Sequence, residues 1–221
     1  MRTLFFDLDG TLIDSAVGIT RCVAYALEGM SHPGVPDDAL RAWIGPALRV
    51  SFGALFADSN DVERAVALYR ERYDTEGWAE HSVYAGIGDA VRDLRDDGYR
   101  LAVVTAKNEP HARRIVSSLP FGDCFEDIVG ATLDGRLSHK PELIDEALSR
   151  LGVDATRCAM IGDRHLDIEG ARHHAMPGIG VLWGFGGESE LRAAGAATLA
   201  RTPQDLRASV ASALSAGPAR M

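Results

Sequence analysis

The sequence predicts an α/β protein with a doubly wound parallel sheet and an all-helical segment inserted early in the chain. Three observations predict it. A strand-like run, Leu4-Phe5-Phe6, stands close to the start. From residue 99 onward, short apolar runs alternate with stretches of helical spacing, the pattern of parallel strands joined by crossover helices. Between these parts, residues 15–84 show helical periodicity and no convincing strand, and a simple crossover rarely needs such length. The expected division is therefore a core of residues 1–14 plus 85–221 and a helical domain of residues 15–84.

The elements follow in order. In the inserted segment, Ile19, Val23, Ala26, Leu27 and Met30 recur at helical spacing, and Val62, Ala65, Val66, Tyr69 and Tyr73 mark a second long helix. Residues 36–56 suggest shorter helices, and hinges are expected near 14–16 and 82–85. Residues 100–105 form a buried strand that ends in a hydroxyl, Thr105. A helix over 109–119 carries Ala112, Ile115, Val116 and Leu119, and a strand over 125–129 follows. A helix over 141–151 is apolar at Leu143, Ile144, Ala147, Leu148 and Leu151. A strand over 158–161, a helix over 167–174 and a strand over 178–182 continue the alternation. Thr202-Pro203 followed by Asp205 is a capped start to the last helix.

Composition narrows the function. The chain has 221 residues, of which 46% are apolar and 25% charged, enough for a packed core. Its net charge of −9 argues against a general nucleic-acid binder, because a phosphate backbone repels such a surface. Cys22, Cys124 and Cys158 are scattered and odd in number, so they read as small buried residues of a reducing compartment, not as disulfides or a zinc site. The early strand leaves no room for a signal peptide, and the uncharged stretch 174–187 is glycine-rich and too short to span a bilayer. A cytoplasmic protein without membrane partners is the expectation. Only two of 23 basic residues are lysines, Lys107 and Lys140.

The chemistry gathers at strand ends. The first strand runs into Asp7-Leu8-Asp9-Gly10-Thr11-Leu12, beyond the carboxyl edge where open parallel sheets bind ligands. Two carboxylates so spaced face the same way and crowd each other unless a cation joins them. A polar strand end turning at Gly10 is the plainer reading of this string alone. A later strand, Met160-Ile161, runs into Gly162-Asp163-Arg164-His165-Leu166-Asp167. Asp167 also suits a helix N-cap, but hard oxygen ligands drawn from separate strands suit Mg²⁺. Thr105 and the backbone N–H groups beside it, Ala106 included, could bind phosphate oxygens. Lys140 stands before Pro141 at a helix start, where a cation opposes the helix dipole and asks for an anionic partner, although a solvated lysine is the alternative. Lys107 stays open between the two readings.

Asp7-Leu8-Asp9-Gly10-Thr11, Thr105, Lys140 and Gly162-Asp163…Asp167 resemble the four motifs of the haloacid dehalogenase superfamily, in order and on matching elements. The helical segment resembles that superfamily's cap, and the chain is most similar to the phosphoglycolate-phosphatase-like group. The resemblance implies a Rossmann-like core and a Mg²⁺-dependent phosphatase of small phosphorylated metabolites, phosphoglycolate being one candidate. It implies that Asp7 is the nucleophile and Asp9 the acid and base. Mg²⁺ would be held by Asp7, the backbone carbonyl of Asp9 and Asp163, with Asp167 acting nearby. Thr105, Ala106 and Lys140 would bind the transferring phosphoryl group.

Other readings fall away or stay open. Asp9 counts against a haloacid dehalogenase proper. Residues 15–84 contain no lysine, which removes the Schiff-base chemistry of phosphonoacetaldehyde hydrolases. A phosphosugar mutase of the β-phosphoglucomutase kind and a 5′-nucleotidase stay open, as do monomer and homodimer. Cap residue Arg49 could read a second anionic group with its planar fork, with Arg41 and Trp43 as weaker candidates. The glycines 178, 180, 184, 186 and 187 do not fit a dinucleotide loop's spacing. His165, His173 and His174 are expected at the surface or behind the ligands, because imidazole favours softer metals than magnesium.

Overall fold

The computed structural model describes residues 1–40 and 43–215 of the chain. The chain divides into two compact units, Met1–Ile13 with the segment from Val83 onward, and Asp14–Ser82. Strand β1 (Thr3–Phe6) opens the first. The two-residue strands β2 (Ile13–Asp14) and β3 (Ser82–Val83) pair as a separate small sheet. The chain between them forms helices α1 (Ala16–Gly29), α2 (Asp37–Leu40), α3 (Leu48–Gly53) and α4 (Ser59–Thr75). After β3 come α5 (Ile87–Asp96), β4 (Arg100–Asn108), α6 (Glu109–Ser118), β5 (Asp127–Ala131) and α7 (Lys140–Leu151). Then β6 (Cys158–Gly162), α8 (His165–His173), β7 (Gly178–Val181), α9 (Glu188–Ala194), β8 (Thr198–Ala200) and α10 (Leu206–Ser215) complete it.

The main sheet has six strands in the order β5-β4-β1-β6-β7-β8, and every pairing is parallel. Winding out from β1 through β4 to β5 and then back across to β6 creates a switch point, where a crevice opens beyond the carboxyl ends of β1 and β6. Phe6 pairs with Val103 on one side and Ile161 on the other, so Asp7 is the first residue to emerge there. Helices on both faces explain why Leu4, Phe5 and Phe6 are all fully buried and show no polar alternation. One core cluster joins Phe5, Val104 and Met160 of the sheet to Leu143, Ile144 and Ala147 of α7 and Ala171 of α8. The helices that carry Lys140 and Asp167 are thereby fixed against the strands that carry Asp7 and Thr105.

In the helical unit, α1 buries Ile19, Val23, Ala26 and Leu27, and α4 buries Ala65, Val66, Tyr69 and Tyr73. These are most of the apolar positions the spacing marks out; Met30 and Val62 are half-buried. Asp58 caps α4 by accepting from the Asn60 N–H at 2.7 Å. Phe52 is fully buried beneath an edge-on Trp43, ring centroids 5.0 Å apart. Cys22, Cys124 and Cys158 are buried and, among the described residues, form no disulfide.

Some predicted boundaries move. Strand β5 lies two residues later than 125–129, because Phe125 turns its ring edge-on to Phe6, with centroids 5.7 Å apart, instead of entering the ladder. Strand β4 continues past Thr105 to Asn108 through an irregular step in its pairing with β5. Helix α8 begins at His165, so Asp167 is not its N-cap but its third residue. The Asp167 carboxylate reaches back to accept from the Arg164 N–H at 3.0 Å. Strand β8 and helices α5 and α9 were outside the predicted set.

Candidate active site

Asp7 and Asp9 lie on the turn that follows β1, and both are buried. The turn is tight: the Thr11 and Leu12 N–H groups donate back to the Leu8 carbonyl. Gly10 has φ +81°, and a Cβ there would fall on the Asp163 carboxylate, so only glycine satisfies both the backbone and the space. The side chain of Asp7 is oriented through Oδ1, which accepts from the Leu8 N–H at 2.8 Å and stands 3.2 Å from Lys140 Nζ.

Lys140 has the anionic partners its place at the helix start demands. It is 5% exposed, and its Nζ lies 2.7 Å from Asp167 Oδ1, besides the Asp7 contact, and donates to the Val104 carbonyl at 3.0 Å. Burial alone would lower the proton affinity of this ammonium, but Asp167 and Asp7 outweigh it, and the net shift is upward. Asp163 is fully buried, accepts from the Phe185 N–H at 2.8 Å, and lies 3.3 Å from the Thr11 hydroxyl. Burial, then the charges of Asp167 and Asp7, holds its carboxyl well above the usual range. Burial likewise pushes Asp7 up to about 6, with Lys140 opposing and Asp167 and Asp9 adding to the rise.

Asp7, Asp163 and Asp167 each present an oxygen within 4.8 Å of the others. Three buried carboxylates facing one ammonium leave a surplus of negative charge, and the donors are all hard oxygens. That set fits Mg²⁺, which needs one or two carboxylates and completes its octahedron with water or phosphate. The side chain of Asp9 is not in this trio. Its Oδ2 pairs with Lys107 Nζ at 2.9 Å, while its Oδ1 is buried and has no hydrogen-bond partner among the described residues. Lys107, left open by the sequence, thus sits on the proposed acid and base, and its rarity as one of two lysines was the available signal.

The other predicted residues are placed as follows. Thr105 is buried at the bulged end of β4, its hydroxyl accepting from the Lys107 N–H at 3.2 Å. Ala106 packs half-buried against the core cluster. Arg49 belongs to the helical unit, where its guanidinium forks onto Glu63 at 2.5 and 2.8 Å. Arg41 lies outside the described residues. His165 Nδ1 is 2.8 Å from Glu190, His174 Nε2 is 2.9 Å from the Pro141 carbonyl, and His173 is exposed. Two of the late glycines have a packing reason at the site. A Cβ at Gly184 would collide with the Asp163 side chain and one at Gly186 with the Asp163 carbonyl, so this strap lies directly against that residue. Trp183 anchors the same strap by donating from Nε1 to the Thr11 carbonyl at 3.0 Å.

Known proteins are similar to this chain in sequence and fold. A crystal structure of a predicted phosphatase from Clostridium acetobutylicum superposes with a TM-score of 0.91 at 35% identity, covering 95% of this chain and 98% of that one. A 5′-nucleotidase of Pseudomonas aeruginosa is 41% identical over 193 residues, 86% of each chain. The tyrosine-protein kinase PtkA of Mycobacterium tuberculosis is 38% identical over 185 residues, 84% of this chain, which spans 63% of that protein's length. Proteins named phosphoglycolate phosphatase are among the further matches. Among the described residues, no helix is long and apolar enough to cross a membrane. Residues 4–181 match the haloacid dehalogenase-like hydrolase family from the first strand through β7, and the chain belongs to that family.

Proposed function

We propose that this hydrolase is a phosphomonoester phosphatase of small organic phosphates that works through a phosphorylated Asp7. The observation that carries the reading is the bridge of Lys140 between Asp7 and Asp167 at the sheet's switch point, with Asp163 beside them. Mg²⁺ would be held there by Asp7, Asp163 and Asp167, together with the Asp9 backbone carbonyl. When bound, it offsets the charge of an incoming phosphate.

An oxygen of the Asp7 carboxylate attacks phosphorus, its new bond forming as the ester P–O bond breaks. The Asp9 carboxyl gives its proton to the departing oxygen. Water then attacks the same phosphorus and yields a proton to Asp9, the bond from phosphorus to Asp7 breaks, and inorganic phosphate leaves. Lys140 and the Thr105 hydroxyl meet the negative charge on the phosphoryl oxygens. Lys107 fixes the Asp9 carboxylate beside the path. The helical segment of residues 15–84 serves as the cap that selects the substrate.

Similarity to a named 5′-nucleotidase at 41% identity favours nucleoside monophosphates over phosphoglycolate as the first substrates to test. Arg49, paired with Glu63, is a weaker candidate for reading a second anion than its position in the sequence suggested. Asp7→Asn should abolish hydrolysis of p-nitrophenyl phosphate with the fold intact, and stripping the metal should do the same to the wild type. Turnover by either would refute the reading. Glucose phosphates that isomerise without release of phosphate would favour the mutase instead.

A further inference from the structure

We infer that Glu190 is a positioning residue for the metal-carrying turn between Asp163 and Asp167, acting through Arg164 and His165. The inference rests on the metal reading of that turn given above. Glu190 stands in α9, 23 residues beyond Asp167 in sequence and outside every motif the sequence singles out. One of its carboxylate oxygens, Oε1, collects three contacts: Arg164 Nε at 2.9 Å, the His165 backbone N–H at 2.9 Å and His165 Nδ1 at 2.8 Å. Both residues so held lie between the two aspartates. The backbone N–H of Arg164 also donates to Asp167 Oδ2 at 3.0 Å, so Glu190 holds the side chain of the residue whose N–H orients Asp167, and the N–H of the residue after it.

A carboxylate in this position is not accounted for by stability alone. Two other devices already fasten the region from the same strap: the Phe185 N–H on Asp163 and Trp183 on the Thr11 carbonyl. Those fix Asp163 and the first turn. The three contacts of Glu190 fall instead on Arg164 and His165. Asp163 and Asp167 sit at opposite ends of one tight turn, and both must keep an oxygen within 4.8 Å of Asp7. Groups that hydrogen-bond behind metal ligands set ligand orientation, and their loss commonly weakens metal binding by about 10–100-fold.

The test is Mg²⁺ binding to the full chain, measured by calorimetry without substrate, for the wild type, Glu190→Ala, Glu190→Gln, His165→Ala and Asp163→Asn. Glu190→Ala should weaken Mg²⁺ binding by about 10–100-fold while KM for p-nitrophenyl phosphate at saturating Mg²⁺ stays unchanged. Glu190→Gln keeps an acceptor oxygen and should recover most of the loss. His165→Ala, which removes one contact of the three, should fall between and keeps the test available if Glu190→Ala does not fold. Wild-type affinity in both Glu190→Ala and His165→Ala, with binding lost in Asp163→Asn, would overturn the positioning role alone. Unchanged binding in Asp163→Asn would overturn the metal reading, and this inference with it.

Discussion

Replacing Lys140 by Met tests the electrostatic bookkeeping of the site. Met preserves most of the stem, which matters because Gly170 packs against the Lys140 Cβ and Cγ, and removes only the charge. At an effective dielectric of about 20, the contacts at 2.7 Å to Asp167 and 3.2 Å to Asp7 correspond to gross attractions of about 6 and about 5 kcal/mol. Desolvation of the buried ammonium cancels much of that. The net cost of stranding its partners is about 3–5 kcal/mol, equivalent to a melting shift of about 6–20 °C in a chain of this size. Urea denaturation in chelator near neutral pH should show that deficit. At about pH 4.5 it should shrink, since Asp7, pushed up to about 6 by burial, is then protonated and no longer needs the cation. Mg²⁺ at neutral pH should restore part of it. A loss under about 1 kcal/mol at neutral pH, or an equal loss at both pH values, would mean that Lys140 does not offset the charge of these carboxylates.

Three further outcomes follow from the same geometry. The metal-free wild type should lose stability as pH rises from about 4 to about 6, by about 3 kcal/mol from Asp7: its folded-state affinity for a proton exceeds the unfolded one, so the folded state binds more protons in that window. A pH-independent denaturation midpoint in chelator would contradict this. Gly10→Ala should destabilise the protein by about 1–3 kcal/mol through its left-handed backbone and should displace Asp163, so calorimetry should also record weaker Mg²⁺ binding. Asp9→Asn should lower kcat on an alkyl phosphate by about 10²–10⁴-fold in steady-state assays, with Mg²⁺ affinity retained.

Much of the core was legible because its strands are doubly covered and therefore read as unbroken apolar runs. Residues 4–6 and 158–161 are such runs, and the polar residues that end them are the ones the site uses. Lys140 was legible for a different reason, a cation placed against a helix dipole, and its partners proved to be Asp7 and Asp167. What stayed hidden had weak local signals. Strand β8 is three residues long and α9 seven, too short for periodicity to register. Phe125 looks like the start of a strand but packs by its ring edge. Asp167 fits an N-cap pattern, but the helix begins two residues earlier and uses it as its third residue. Glu190 could not be found from spacing, since its contacts at Arg164 and His165 depend on how the strap after β7 folds back.

In the proposed reaction phosphorus becomes bonded to Asp7, and trapping that bond is the decisive experiment. In Asp9→Asn, p-nitrophenyl phosphate still has a leaving group good enough to depart without an acid, while the water step lacks its base, so the phosphorylated enzyme should accumulate. Acid quenching, borohydride reduction of the acyl phosphate and peptide mass spectrometry should then place homoserine at residue 7 and nowhere else. Reduction at another carboxylate, or an unmodified residue 7 in an enzyme that has released p-nitrophenol, would contradict the account.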